Sequence, residues 1–358
     1  MANDQVAAVG RDYLARLSSS PDVYPQGLDL VHQAMLLVKF DAAAYRAASF
    51  LDDRVLSAQS RGVWVRISEV SASARSVQEP RPVHFIFHTG HVGSTLISRL
   101  LEESGVVLSL REPLPLRVLA GAHDVLGKAD SLISEAQFEA LLELYLTLWA
   151  RGYAWTRAVV VKATSSVGRL AAPLLNRRDS ARAICLNLKP EPYLATMLAG
   201  QSSPTDLRNH GAERIRRLML MLGVDRLGPL HALSLGELAA MSWLTETLTQ
   251  HQATLRFGSR LVKVDFDDVL ADVPHALARI AAHFGLPHDE AFTAAVARSQ
   301  ALATYSKAPE HAYSPALRAQ ILTEARARHA AEIRKGLAWL EGFARTHTGV
   351  SDVLQANA

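Results

Sequence analysis

The stretch 84-HFIFHTGHVGSTLISRLL-101 limits the possible folds more than any other part of the chain. An apolar run, Val83–His88, is interrupted by Thr89, Gly90, His91, Val92 and Gly93 and resumes with helical spacing from Ser94 and Thr95. A strand that turns through two glycines straight into a helix aims backbone N–H groups and two hydroxyls at one point. The first N–H groups of a helix lack acceptors and carry partial positive charge, so that point binds anions. Glycines at 90 and 93 permit positive φ and let a phosphate approach the main chain. The six residues from Gly90 to Thr95 are therefore the expected phosphate cradle; the competing reading is a tight turn with no ligand.

A loop of this kind sits in a parallel α/β sheet, and the pattern downstream agrees. Strands are expected at Val83–His88, Val106–Leu110, Ala158–Lys162, Arg182–Leu188 and Leu261–Asp265, with helices at Ser94–Ser104, Ser165–Leu175 and Pro190–Leu198 between them. Ser314 and Pro315 signal the start of a long helix ending near Thr346. At 358 residues and 49% hydrophobic content, one large α/β domain with a smaller appendage suits the chain. The division expected is a helical amino-terminal region over 1–75, an α/β domain over 82–346 and a tail over 347–358. The helical expectation comes from Leu30, Val31, Ala34, Met35, Leu37 and Val38, which cluster on one helical face. The Ser-, Pro- and charge-rich run 71–82 is the expected linker.

Composition excludes several functions. The net charge of +3 comes from arginines scattered on helices, with no basic run interleaved with aromatics, so nucleic acid is not an expected partner. One cysteine, Cys185, excludes an internal disulfide. The amino terminus carries acidic residues and no long apolar stretch, which predicts neither signal peptide nor membrane partner and makes the cytoplasm the expected location. No HExxH or Cys/His spacing predicts a metal, and no Gly-x-Ser-x-Gly elbow predicts a serine nucleophile.

Three positions carry the expected chemistry. Glu112 follows the second strand of the α/β region, at the carboxyl end where open sheets collect ligands, and suits a general base; Arg111 beside it is the weaker candidate, and a solvated Arg-Glu pair is the alternative. Lys162 ends the apolar run 158-AVVVK-162, where a lysine either reaches charge developing in a reaction or snorkels to solvent. His91 is the only basic group in the loop, and the residue before Ser94 is Gly93 rather than the lysine of ATP-binding loops, which disfavours ATP hydrolysis.

These features together resemble the sulfotransferase family, over approximately residues 82 to 346. Gly93, Ser94 and Thr95 match the family's 5′-phosphosulfate loop, with His91 where the family has Lys or Arg. The segment 158-AVVVKATSS-166 resembles its strand-Lys-Ser-Pro, and 260-RLVKVDFDDVLADVPHALARIAAHFGLP-287 its strand, aromatic, two acids and Phe-Leu-Gly-Leu-Pro. In 183-AICLNLKPEPYLATMLAG-200, Pro190 and Thr196 keep register with the family's 3′-phosphate segment, but Leu188 replaces its Arg and Lys189 its Asp. The resemblance implies a P-loop-type α/β fold and 3′-phosphoadenosine-5′-phosphosulfate as donor. Glu112 is then the base, Lys162 and His91 the catalytic groups at sulfur, and Gly90, His91, Val92, Gly93, Ser94, Thr95, Lys189, Thr196 and Lys307 the nucleotide-binding residues. Lys307, in the loop 304-TYSKAPEHAYS-314, is a replacement cation. The triplet Arg334-Lys335-Gly336 is set aside because it falls inside a helical pattern. The acceptor is a hydroxyl or amine on an unidentified small molecule or peptide. An ATP-dependent phosphotransferase and a non-catalytic nucleotide-binding scaffold are the alternatives.

Overall fold

A computed structural model describes residues 2–57, 59–78, 80–305 and 308–357. Its first departure from expectation is at Asp29, which turns the chain where a helix was predicted. Asp29 Oδ1 accepts from the N–H groups of Val31 and His32, both at 2.9 Å, and Gln33 takes a φ of 50°. That turn joins β1 (Val23–Asp29) to β2 (Ala34–Lys39), and β3 (Gly62–Arg66) adds antiparallel to β2. The helical expectation for 1–75 is thus corrected to a three-stranded sheet with helices, among them Ala2–Leu17 and Ile67–Ala74. Met35 and Leu37 are fully buried while Leu36 between them is not, which is the strand period of two; the short apolar run also fits a helical face, and only the turn decides between them.

Beyond the expected linker, β4 (Val83–His88), β5 (Val107–Arg111), β6 (Ala158–Lys162), β7 (Ala183–Asn187) and β8 (Leu261–Asp265) form one parallel sheet in the order β5-β6-β4-β7-β8. The expected fold class, a parallel sheet flanked by helices, is borne out. The chain leaves β4 first to one side and later to the other, so the end of β4 is the switch point where such sheets bind ligands. Successive residues of each strand feed two cores: Phe85, Phe87, Val159 and Val161 face one, Ile86, Val160, Ile184 and Leu186 the other.

The first of these cores also contains Leu17, Tyr24, Met35 and Leu37 of the amino-terminal region, which is therefore packed into the body of the fold. Arg151 ties the two together. Buried after the helix Glu135–Trp149, it donates from Nη1 to the carbonyls of Leu17 and Ser20 (2.7 Å each), from Nη2 to Val23 (2.8 Å) and from Nε to Leu148 (2.6 Å). Burial pushes its pKa down to about 10, which leaves it charged at neutral pH. Arg151→Met is expected to cost about 3 kcal/mol, because buried carbonyls lose their donors. A urea midpoint equal to that of the parent chain would remove this tie from the account.

The carboxyl-terminal third is helical. Ser314 caps the helix Pro315–Arg328 by accepting from the Leu317 N–H at 3.1 Å, and a break at His329 separates it from Ala330–Ala344. Arg334-Lys335-Gly336 lies in that second helix. Gly336 is where it crosses the capped helix Leu235–Phe257: a Cβ there would run into Gly236 and Leu194. Residues 347–358, expected as a tail, instead carry the helix Thr348–Gln355, whose Val350 and Val353 are fully buried in the second core. No helix among the described residues is long and apolar enough to cross a membrane, and no cluster of His, Cys, Asp or Glu among them could hold a metal ion.

Candidate functional site

β4, buried on both faces, ends at His88, and the glycine loop begins there. Gly90, His91 and Gly93 all have positive φ (94°, 55° and 72°), after which the helix Ser94–Leu101 starts with no side-chain cap on its N–H groups. Positive φ at a histidine is uncommon and marks a conformation the surroundings enforce. Part of that enforcement is His88, which the sequence reading did not single out. Its Nδ1 accepts from the Gly90 N–H at 3.0 Å, and its Nε2 lies 2.8 Å from the Ala163 carbonyl, which fixes a neutral ring with the proton on Nε2. The Gly90 amide is thereby occupied, and the cradle begins in practice one residue later. Thr89 is held on the other side, donating to Asn187 Oδ1 at 3.0 Å and accepting from Tyr193 Oη at 3.1 Å through its carbonyl. A histidine at a strand end directly before Thr-Gly is the signal that could have flagged this support.

Glu112 and Lys162 meet at the start of the same helix. The Glu112 N–H donates to the Lys162 carbonyl at 2.6 Å, Glu112 takes a φ of 54°, and its carboxylate pairs with the Lys162 ammonium. Lys162 is fully buried and also donates to Thr95 Oγ1 at 3.2 Å. Snorkelling is excluded by that burial, and a solvated surface pair is excluded for Glu112, which is 7% exposed. Arg111, in contrast, points into the amino-terminal region: its Nη1 donates to the carbonyls of Tyr45 (3.0 Å) and Ala48 (2.8 Å), and it pairs with Glu102. Burial lowers its pKa and Glu102 works against that.

On its other flank the loop borders a cavity of about 400 Å³. His91, Val92, Gly93, Ser94 and Thr95 form one wall; Thr196, whose hydroxyl donates to the Pro192 carbonyl at 2.7 Å, and Phe266 form another. Tyr305 and His311, on the antiparallel strands β9 (Thr304–Tyr305) and β10 (Ala308–Ala312), and Tyr313 just after them line the cavity too, so the polar aromatic loop does reach it. Lys307 lies outside the described residues. Lys189 stands exposed before the helix Pro190–Ala199 and does not line the cavity, while Leu188 is buried with its carbonyl accepting from Trp243 Nε1 at 2.9 Å. Lys189 was expected to substitute for the missing arginine; two positions beyond β7, it is turned to solvent instead of toward the cavity. Among the described residues, the arginine that lines the cavity is Arg318, with Nη2 2.7 Å from Asp267 Oδ1 and its guanidinium 5.5 Å from the Phe266 ring centroid. It lies on one helical stripe with the buried Leu322 and Ala325, which is the pattern that could have found it.

Solved structures similar to this chain are sulfotransferases. One from Alicyclobacillus acidocaldarius matches with a TM-score of 0.39 at 14% identity, covering 74% of this chain and 96% of its own. Another from Mycobacterium avium gives 0.39 at 12%, over 72% and 79%, and a mouse sulfotransferase solved with PAP gives 0.34 at 12%, over 64% and 68%. No protein-family model and no curated protein matches the chain.

The segment 260–287 shapes helix ends and one wall of the cavity. Asp265, rather than Asp267 or Asp268, caps the helix Phe266–Ala271 by accepting from both of their N–H groups (2.8 and 3.3 Å), and Gly285 closes the next helix at a φ of 68°. Its contribution to the site is Phe266, held against the glycine loop.

Proposed function

We propose that the chain transfers a sulfuryl group from 3′-phosphoadenosine-5′-phosphosulfate to a hydroxyl or amine. The observation that carries this reading is the contact of Glu112, Lys162 and Thr95 at the helix start beside the glycine loop, a base, a cation and an anion cradle in one place. The acceptor oxygen or nitrogen attacks sulfur as the bond from sulfur to the bridging phosphate oxygen breaks. The acceptor's proton passes to Glu112, and the electron pair of the broken bond goes to the 5′-phosphate. Backbone N–H groups from His91 to Thr95 hold that phosphate, while Lys162 and His91 offset charge on the sulfuryl oxygens. Thr196 and Arg318, facing the same cavity, serve the nucleotide's 3′-phosphate in place of the arginine that Leu188 replaces.

Calorimetric titration tests the donor class without an acceptor. Adenosine 3′,5′-bisphosphate is expected to bind with a Kd of about 1 μM, near −8 kcal/mol, and ATP with magnesium at least about 100-fold more weakly, because the loop lacks the lysine that grips its terminal phosphates. The reverse order would replace sulfuryl transfer by phosphoryl transfer. Bisphosphate binding without transfer of labelled sulfate to any acceptor would leave a nucleotide-binding scaffold.

A further inference from the structure

The amino-terminal region lays the segment Phe50–Arg54 against Glu112, and no role described so far uses it. Leu51 brackets the Glu112 turn: its N–H donates to the Arg111 carbonyl at 2.6 Å, and its carbonyl accepts from the Leu114 N–H at 3.3 Å. That bracket brings the neighbouring side chains to the buried pair. The Phe50 ring centroid lies 5.6 Å from Lys162 Nζ and 3.5 Å from the guanidinium carbon of Arg54. Asp52, itself buried, grips Arg54 along one edge, with Nε to Oδ1 at 2.8 Å and Nη2 to Oδ2 at 2.5 Å. Burial raises the Asp52 pKa, yet its bonds to Arg54 bring it below the ordinary carboxylate value; the same bonds raise that of Arg54, and the charge of Glu112 acts on both. Arg54 keeps 58% of its side chain exposed, and Nη1 takes no part in the Asp52 bonds.

We infer that Phe50–Arg54 is the acceptor-facing wall of the site and that Arg54 selects acceptors carrying a carboxylate near the reacting group; this rests on the sulfuryl-transfer reading above. A guanidinium fixed by a carboxylate on one edge and an aromatic ring on one face loses little freedom on binding. Its remaining N–H groups only donate, so the partner offers an accepting oxygen, and a charged one binds most strongly. The charges of Asp52, Arg54, Glu112 and Lys162 cancel in pairs. Once Glu112 takes the acceptor's proton, the group gains net positive charge, which an anion on the acceptor offsets.

The test supplies labelled donor to the full chain with a pool of phenolic and alkyl hydroxy acids and their methyl esters. The parent chain is expected to favour free acids over esters. In Arg54→Met that preference falls by about tenfold or more while bisphosphate affinity stays unchanged, and Arg54→Lys retains an intermediate preference. Preference for esters in the parent chain, or an unchanged acid preference in Arg54→Met, overturns the role of Arg54. Bisphosphate binding with no transfer to either set also overturns it, whereas absent bisphosphate binding overturns the sulfuryl-transfer reading on which it stands. Should Arg54→Met fail to fold, Arg54→Lys decides the same question by the same ratio.

Discussion

Glu112→Gln is expected to lower sulfuryl transfer by about 10²–10⁴-fold, the range for removing a positioned general base, while leaving bisphosphate binding intact. The substitution is informative because it preserves shape. An amide oxygen at position 112 still accepts from Lys162, and the backbone bond from residue 112 to the Lys162 carbonyl is untouched. Lys162→Met is the contrasting case. It leaves a carboxylate at 7% exposure without its cation, and removing one partner of a buried pair costs about 3–5 kcal/mol. If the pair served only to hold the fold, Glu112→Gln would keep full transfer and Lys162→Met would lose stability alone. If Glu112 is the base, Glu112→Gln loses transfer at nearly normal stability. Transfer rates measured beside urea midpoints separate the two, and parent-level transfer in Glu112→Gln would remove the base from the mechanism.

Much of the site was legible because the sequence forces it locally. β4, β6 and β8 fall where the apolar runs place them, and the loop between β4 and its helix needs glycine at two positive-φ positions. Lys162 stood out because a charged residue ending a buried strand has to be accounted for. The residues that escaped act through partners far away in the chain. His88 reaches across to Ala163, Arg151 collects carbonyls more than 120 positions earlier, and Arg318 comes from a helix near the carboxyl end. Arg151 has no local period or spacing that announces it, and the cues at His88 and Arg318, a histidine before Thr-Gly and a helical stripe, do not name the partner that each one reaches. The amino-terminal region was misread for a related reason. Its short apolar run satisfies helix and strand alike, and the deciding bonds from Val31 and His32 to Asp29 concern turn chemistry rather than hydrophobic pattern. Its place in the site followed from that error: read as a separate helical appendage, it offered no route for Phe50 or Arg54 to reach Glu112.

Gly93→Val is expected to weaken bisphosphate binding by about 100-fold or more, and two separable effects contribute. Gly93 has a φ of 72°, a conformation that costs an L-residue about 1–2 kcal/mol. It also faces Phe266 so closely that a Cβ would overlap one edge of the aromatic ring. Phe266 is 5% exposed, lines the cavity and neighbours Arg318, so displacing it disturbs the pocket wall as well as the loop. A cycle of Gly93→Ala, Phe266→Ala and the double variant apportions the two. Removing the ring opens the space and is expected to restore much of the stability lost in Gly93→Ala. Affinity is not restored with it, because the left-handed backbone that aims the N–H groups remains disfavoured. Recovery of both together would mean that the glycine is there only to admit the ring, and bisphosphate affinity unchanged in Gly93→Val would detach the loop from the nucleotide altogether.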